Sequence, residues 1–92
     1  MTNTFTDAQL MAVRHPDTFE APTLEELSRI AVGDYVKICA MDRERFWVQV
    51  TGIEGELLTG EVNNQLLMTD FHGLRCGDTV VFERRHVYQV EG

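Results

Sequence analysis

The fold is decided by residues 46–62, which read FWVQVTGIEGELLTGEV. Over residues 46–51 apolar and polar side chains alternate, which is the period of a half-buried β-strand. Glu54-Gly55 then interrupts the pattern before the apolar pair Leu57-Leu58, and a glycine in so short a break is typical of a tight hairpin. Gly60 lies inside the second strand, so we expect a β-bulge or a close approach of two backbones there.

The strand pattern continues on both sides of this hairpin. Residues 35–40 alternate in the same way, and residues 79–83 and 87–90 form two further short apolar runs. We expect a mainly β (α+β) domain: a small SH3-like five-stranded barrel preceded by a short capped helix and an irregular amino-terminal arm. An OB-like barrel is the alternative.

A partial internal repeat supports short strands in fixed register. Residues 32–36 and 76–80 both have the form x-Gly-Asp-x-Val. In each copy the glycine permits a turn, and the aspartate can accept a hydrogen bond from the backbone ahead of it. Asp34 and Asp78 as a pair of catalytic acids is the alternative, which we disfavour because small barrels commonly use such turns.

One helix has a clear start and stop. Thr23-Leu24-Glu25-Glu26 is a capping box, with Thr23 at the N-cap and Glu26 at the third helical position. Apolar residues follow at helical spacing, and Gly33 lies just beyond them. The pattern predicts a helix over residues 24–31.

The expected domain organisation has two parts. Residues 1–22 are predicted to be an irregular arm, since its two X-Pro pairs disfavour helix at the preceding residues; a weak helix over residues 7–14 remains open. Residues 23–92 are predicted to form a single barrel domain. Within it, the less regular residues 65–75 are expected to cover one end of the barrel. An exposed edge at Gln65 to Met68 that pairs with a second copy, and a monomer with that edge covered by the arm, are equally consistent with the sequence.

Composition and charge exclude several classes of protein. The 92 residues are 43% hydrophobic, which is enough for one compact core. The formal charge of −7 argues against direct binding to nucleic-acid backbones, which would repel the chain. The sequence offers neither the apolar region of a secretory signal nor a membrane-spanning run, so we expect a cytoplasmic protein of a bacterium or an infected host cell.

The cysteines and histidines predict neither disulfides nor a metal site. Cys39 and Cys76 are too few and too distant for a disulfide framework, and their aliphatic neighbours favour buried, reduced thiols. His72 and Cys76 are not accompanied by a second close pair of metal ligands. We expect no metal, no cofactor and no enzymatic activity.

Several elements together resemble a known family. They are Glu44-Arg45-Phe46-Trp47-Val48 with Val50, Gly60-Glu61-Val62-Asn63-Asn64, Gly77-Asp78 with Val80 and Phe82, and His86-Val87; upstream are His15 to Phe19 and Gly33 to Lys37. The sequence is similar in these elements to the YegJ-like domain-of-unknown-function family, over roughly residues 15–90. The resemblance implies a single compact α+β or barrel domain of bacteria and their phages, with no established activity or cofactor. The family usually continues its Gly-x-x-x-Asn element into a proline, whereas Gln65 follows Asn64 here.

The leading candidate site is an aromatic partner-binding surface. If Phe46 faces the core, strand alternation directs Trp47 to the other face, and Tyr35 likewise. Aromatic side chains on an outer face often anchor a protein partner. The expected surface consists of Trp47, Tyr35 and the loop that carries Asn63, Asn64 and Phe71. The favoured alternative is that the capped helix covers this face and buries both aromatic side chains.

Two sets of charged residues are further candidates. An anion site at one end of the barrel is a hypothesis for Arg43, Arg45, Arg84 and Arg85, with pairing to neighbouring acids as the favoured alternative. An acidic face that mimics a phosphate backbone is a hypothesis for Glu20, Glu25, Glu26, Glu54, Glu56 and Glu61. A solvated face that maintains solubility is the favoured alternative there.

The sequence therefore favours a non-enzymatic module that binds a protein partner, with no contact to nucleic acid or membrane. The first alternative is a phage-encoded, anti-CRISPR-like inhibitor that acts as an acidic nucleic-acid mimic on a host defence nucleoprotein. The second is a small-molecule or nucleotide-binding domain. Whether the chain is a monomer or a homodimer stays open.

Overall fold

Five antiparallel strands form one sheet in the computed structural model, which describes residues 5–17, 21–40, 44–66 and 73–91. The strands are β1 (Tyr35–Ala40), β2 (Glu44–Glu54), β3 (Leu57–Val62), β4 (Thr79–Glu83) and β5 (Gln89–Glu91). Their order in the sheet is β4-β3-β2-β1-β5. The expected mainly β domain with five strands is confirmed. Between β4 and β5 no pairing is recorded in the described residues, so the sheet is open and a closed barrel is not confirmed.

The β2–β3 hairpin forms as the sequence predicts. Glu54 pairs with Leu57 across a two-residue loop of Gly55 and Glu56, and Gly55 has a φ of +61°. The register shifts between Val50 and Gly52, where β2 contains a bulge. A Cβ on Gly60 would lie 2.2 Å from Cγ1 of Val48, so the expected close approach of two strands is also present.

The two Gly-Asp turns have the same hydrogen bonds. The side chain of Asp34 accepts from the N–H of Ala31 at 2.9 Å, and that of Asp78 accepts from the N–H of Arg75 at 2.9 Å. The N–H groups of Gly33 and Gly77 donate at 2.8 Å to the carbonyls of Val50 and Val62, respectively. In return, the N–H groups of these two valines donate to the carbonyls of Asp34 and Asp78. The repeat is therefore a structural device that docks each turn on a neighbouring strand.

One copy of the repeat corrects the expectation that both cysteine thiols are buried. Cys39 is buried, but Cys76 is exposed. Cys76 occupies the position of Val32 in the other copy, and Val32 is 62% exposed. This position of the turn faces solvent, so the aliphatic neighbours of Cys76 along the chain were a wrong guide to burial.

In the part of the chain that the structure describes, two short helices precede the sheet. Helix α1 (Ala8–Arg14) begins at the N-cap Asp7, so the arm contains the weak helix that the sequence left open. Helix α2 (Leu24–Ser28) has the predicted capping box, in which Glu26 N–H donates to Thr23 Oγ1 and Thr23 N–H to Glu26 Oε1. It ends at Ser28, earlier than predicted, because the following residues enter the Gly33-Asp34 turn.

The core lies on one side of the sheet, which we call the inner face. Most of its large, fully buried side chains come from alternate positions of the strands: Val36, Ile38, Phe46, Val48, Val50, Leu58, Val62 and Phe82; Val87 joins them from just before β5. Leu27 and Ile30 belong to the same cluster, and Phe5 joins it from the arm. Leu66 is also buried there, without strand structure, so no exposed edge is found at Gln65 and Leu66. Residues 67 and 68 lie outside the described residues.

Candidate functional site

The opposite, outer face of the sheet carries the aromatic candidates. Tyr35 lies opposite Gln49, and Lys37 opposite Trp47, across the β1–β2 pair. These positions alternate with the buried valines and isoleucine of the inner face. Tyr35 is 37% exposed, and Trp47 is half-buried.

Among the described residues, two cations lie over aromatic rings on this face. Nζ of Lys37 is 5.0 Å from the centroid of the Trp47 ring, and Cζ of Arg45 is 4.7 Å from that of Tyr88. The N–H of Tyr88 donates to the carbonyl of Lys37 at 2.7 Å, which fixes Tyr88 beside β1. Each such stack contributes about 0.5–1 kcal/mol at an exposed site. We call the set Tyr35, Lys37, Arg45, Trp47 and Tyr88 the aromatic face.

The loop after β3 holds the main chain of Trp47. The N–H of Asn63 donates to the Trp47 carbonyl at 2.9 Å, and the Trp47 N–H donates to Oδ1 of Asn64 at 2.6 Å. Asn64 also donates through Nδ2 to the carbonyl of Gln65. The two asparagines therefore extend the strand pairing beyond β3 and position Trp47. Phe71, the last predicted member of this surface, lies outside the described residues.

Helix α2 does not cover the aromatic face. Its Leu27, with the following Ile30, packs into the cluster of the inner face, on the other side of the sheet. The interpretation that the capped helix buries Trp47 and Tyr35 is therefore wrong. The sequence shows that α2 needs an apolar partner surface, but not which side of the sheet supplies it.

Three members of the aromatic face were missing from the predicted aromatic surface: Lys37, Tyr88 and Arg45, the last of which was a candidate for the anion site instead. Strand alternation could have predicted the position of Lys37, because Lys37 is two residues from Tyr35 on β1 and faces the same side of the sheet. Tyr88 was assigned to the last predicted strand but lies just before β5, and its contact with Arg45 joins residues far apart in sequence. No local pattern predicts that contact.

The candidate arginines that the structure describes do not form one group, because Arg45 stacks on Tyr88 whereas Arg84 and Arg85 are neighbours with contacts of their own. Arg84 donates through Nε to the carbonyl of Gly55 at 3.0 Å and through Nη1 to the carbonyl of Leu27. It thereby ties α2 to the β2–β3 loop. Arg85 pairs with Glu83 at 2.9 Å and, more distantly, with Asp7 at 3.7 Å.

Arg84 and Arg85 line a surface cleft of about 460 Å³ beside α2. The other lining residues are Gln9, Leu24, Leu27, Ser28, Gly55 and Glu56. Arg45 belongs to the aromatic face, away from this group, and Arg43 lies outside the described residues. The favoured interpretation of the arginines as intramolecular partners agrees with the contacts of Arg85.

The candidate acids do not share one face. Glu25 pairs with Arg29, and Glu26 is used by the capping box of α2. Glu61 lies opposite Gln49 on the outer face of the sheet. The other described acids of this set, Glu54 and Glu56, are exposed beside Gly55 at the tip of the β2–β3 hairpin. Glu20 lies outside the described residues.

His86 has a perturbed pKa in a different part of the molecule. It ends the 3-10 helix Arg84–His86, and its Nδ1 accepts a hydrogen bond from the Glu83 N–H at 3.0 Å. Its ring centroid is 6.0 Å from that of Phe5. Burial lowers the pKa of His86 below its ordinary value; Arg85 adds to this effect, whereas Glu83 and Asp7 act against it.

Within the described ranges, no three His, Cys, Asp or Glu side chains are grouped as a metal site would require. Nor does any helix in the described part of the chain have the length and apolar character needed to cross a bilayer. No protein-family model, curated protein or solved structure matches the chain.

Proposed function

We propose that the chain is a non-enzymatic interaction module that binds a protein partner through its aromatic face. The observation that carries the proposal is the position of Trp47 and Tyr35 on the outer face, while both Leu27 and Ile30 pack on the inner face. Aromatic side chains that remain outside the core are the commonest anchors of protein interfaces.

The finer fold that we propose is an SH3-like barrel. Three features support it: β1 pairs with both β2 and β5, a 3-10 helix precedes the last strand, and β2 is long and bulged. A bulge increases local bending, so one long strand can contribute to both halves of a small barrel. We likewise propose membership of the YegJ-like family, whose Glu-Arg-x-Trp-Val element supplies Arg45 and Trp47 to the aromatic face.

The chemistry of the face indicates what the partner presents. Trp47 offers a flat apolar ring, and Lys37 and Arg45 bring positive charge to a chain of formal charge −7. A partner segment with an apolar or planar side chain flanked by a carboxylate would meet both features. Since the ring contributes more buried area than the flexible lysine, we expect affinity to depend more on Trp47 than on salt.

The proposal is tested by first identifying the partner protein and then measuring its affinity for variants of the chain. A photoreactive benzoylphenylalanine in place of Tyr35 would crosslink the bound protein in cells for identification by mass spectrometry. Titration calorimetry with the purified partner should then show affinity at least about tenfold weaker for Trp47→Ala. Leu24→Ala is the matched control, because Leu24 is 77% exposed on α2 and belongs to the cleft.

Circular dichroism and melting temperature would establish that both variants are folded. Equal affinity of the Trp47→Ala variant and the unmodified chain would contradict the proposal. So would an equal loss in the Leu24→Ala variant, since that residue lies away from the aromatic face.

A second candidate is an inhibitor that presents acids to a basic nucleoprotein. The observation in its favour is that Glu54 and Glu56 are exposed at one hairpin tip, which Arg84 ties to α2. Binding of this kind should weaken steeply with salt and with the double change Glu54→Lys and Glu56→Lys. It should be insensitive to Trp47→Ala, which distinguishes it from the first proposal.

A further inference from the structure

The guanidinium of Arg84 carries a charge that no carboxylate balances in the described part of the chain. Arg84 is half-buried, and its side chain donates to two main-chain carbonyls, those of Gly55 and Leu27. An arginine side chain has five N–H donors, so these two bonds leave three donors for another acceptor. Since a guanidinium forms its strongest hydrogen bonds with anions, Arg84 can bind one and keep both of its structural contacts.

Arg85 differs from Arg84, although both line the cleft beside α2. Nη2 of Arg85 donates to Glu83 at 2.9 Å, and its Nε lies 3.7 Å from a carboxylate oxygen of Asp7. The charge of Arg85 is therefore already balanced by two acids, whereas that of Arg84 is not. The cleft thus offers one unbalanced guanidinium, which matches a ligand with a single anionic group.

Apolar side chains form another part of the cleft. Leu24 and Leu27 both line it, and Leu24 is 77% exposed. A ligand whose apolar part covered Leu24 would remove this surface from water, which favours binding in proportion to the area covered. The volume of about 460 Å³ lies in the range of small-molecule sites.

Acidic groups limit the charge that such a ligand can carry. Glu56 also lines the cleft and is exposed at the tip of the β2–β3 hairpin. The whole chain has a formal charge of −7. Repulsion by these acids grows with the charge of the ligand, so it disfavours a phosphate or a nucleotide more than a monocarboxylate.

We propose that this cleft binds a small organic acid that carries one carboxylate on an apolar body. The carboxylate accepts hydrogen bonds from the remaining N–H groups of Arg84, and the apolar body packs on Leu24 and Leu27. The bound acid strengthens the link between α2 and the β2–β3 loop that Arg84 already makes. No member of the aromatic face is among the described lining residues, so this site is separate from the proposed partner-binding surface.

Amide NMR spectra of the full, isotopically labelled chain test the proposal by titration with hydrocinnamate, a carboxylate on a phenyl-substituted chain. The amides of Leu24, Ser28, Gly55 and Glu56 should shift and saturate, with a dissociation constant on the order of 1 mM. Phenylpropylamine has a similar apolar body with the opposite charge, and inorganic phosphate has the charge without the body. We expect both to bind at least about tenfold more weakly than hydrocinnamate.

Three variants assign the binding to the residues named. Arg84→Gln should weaken hydrocinnamate binding at least about tenfold. Arg29→Gln is the matched control, because it removes the same charge from an exposed arginine at the C-cap of α2 that pairs with Glu25, and it should leave the affinity unchanged. Glu56→Gln should tighten binding by about twofold to threefold, since it removes a nearby like charge without touching the structural contacts of Arg84.

The Glu56→Gln result keeps the test independent of folding, because a loosened structure weakens binding and does not tighten it. Shifts that fail to saturate, or equal affinities for hydrocinnamate and phenylpropylamine, would overturn the proposal. So would phosphate that binds as tightly as hydrocinnamate, or weaker binding by the Glu56→Gln variant. Equal affinities of the Arg84→Gln and Arg29→Gln variants would show that Arg84 does not hold the carboxylate, which also overturns it.

Discussion

Gly60 is the residue at which the packing of the sheet leaves no room for a side chain. A Cβ there would lie 2.2 Å from Cγ1 of Val48 and 2.9 Å from the carbonyl oxygen of Gln49. The second of these contacts is with main chain, so a rotamer change alone does not relieve the clash. Strands β2 and β3 must move apart to accept even a methyl group.

We therefore expect Gly60→Ala to lower the free energy of unfolding by about 2 to 3 kcal/mol. Urea denaturation followed by Trp47 fluorescence would measure it, since the chain has one tryptophan. Gly52→Ala is the control within the same hairpin: its Cβ would meet Thr59 at 3.7 Å, an ordinary contact. Equal stability of the two variants would show that the close approach at Gly60 is not tight in solution.

At the scale of elements, the two Gly-Asp turns are equivalent parts of the fold. Each glycine has a positive φ, +100° at Gly33 and +94° at Gly77, and each aspartate caps its own turn. The strand that follows each turn begins in the register that the turn sets. Because the bonds are the same, the energetic consequences of the same change should be the same.

Asp34→Ala and Asp78→Ala should each lower the free energy of unfolding by about 1 kcal/mol, through loss of one side-chain hydrogen bond. Asparagine keeps an acceptor oxygen at this position, so Asp34→Asn and Asp78→Asn should retain most of that stability. Thermal denaturation of the four variants would measure the effects. A large loss at one turn with none at the other would show that the repeat is not equivalent energetically.

These turns also show what the sequence can predict. The hairpin, the capping box and both Gly-Asp turns depend on residues within a few positions of each other, so their residue types were sufficient. The Trp47 N–H is bonded to Asn64, 17 residues away, and Arg84 reaches Leu27 across 57 residues. Such contacts depend on how elements pack, which no local pattern specifies.

The same reason explains the incorrect parts of the site. The helical spacing of its apolar residues predicted that α2 packs on a face of the sheet. It did not predict which face, because one offers apolar side chains and the other offers aromatic rings. The inner face accepts Leu27 and Ile30, and that choice leaves Trp47 available. The anion-site hypothesis grouped the arginines because they share a side-chain type. In the structure, Arg45 stacks on Tyr88, Arg84 donates to main-chain carbonyls, and Arg85 pairs with Glu83.

At the scale of the whole molecule, the amino-terminal arm is part of the core. Phe5 is 8% exposed, forms a bridge with Ala40, and lies 6.3 Å from Phe82 in an edge-on arrangement. The Thr6 N–H donates to the Cys39 carbonyl at 3.0 Å, which continues the attachment to β1. Phe5 also contacts His86, so the arm and the 3-10 helix stabilise each other.

His86 makes this attachment sensitive to pH. Burial lowers the pKa of His86 in the folded chain, so the unfolded chain binds more protons just below the ordinary histidine pKa of about 6.5. The part of the folding stability that depends on neutral His86 is therefore fully present above that pH. It is lost as the pH falls toward the lower pKa of His86 in the folded state. Protonation also removes the Nδ1 acceptor of the Glu83 N–H.

The free energy of unfolding should fall with pH below about 6.5 by at most about 1.4 kcal/mol per pH unit from this one group. His86→Gln should remove that part of the slope between about pH 7 and pH 5, although it lowers stability at neutral pH because the ring no longer packs on Phe5. Guanidinium denaturation at a series of pH values would measure both slopes. Identical slopes for the His86→Gln variant and the unmodified chain would mean that His86 does not couple protonation to the docking of the arm, and that Phe5 and the β1 contacts hold the arm by themselves.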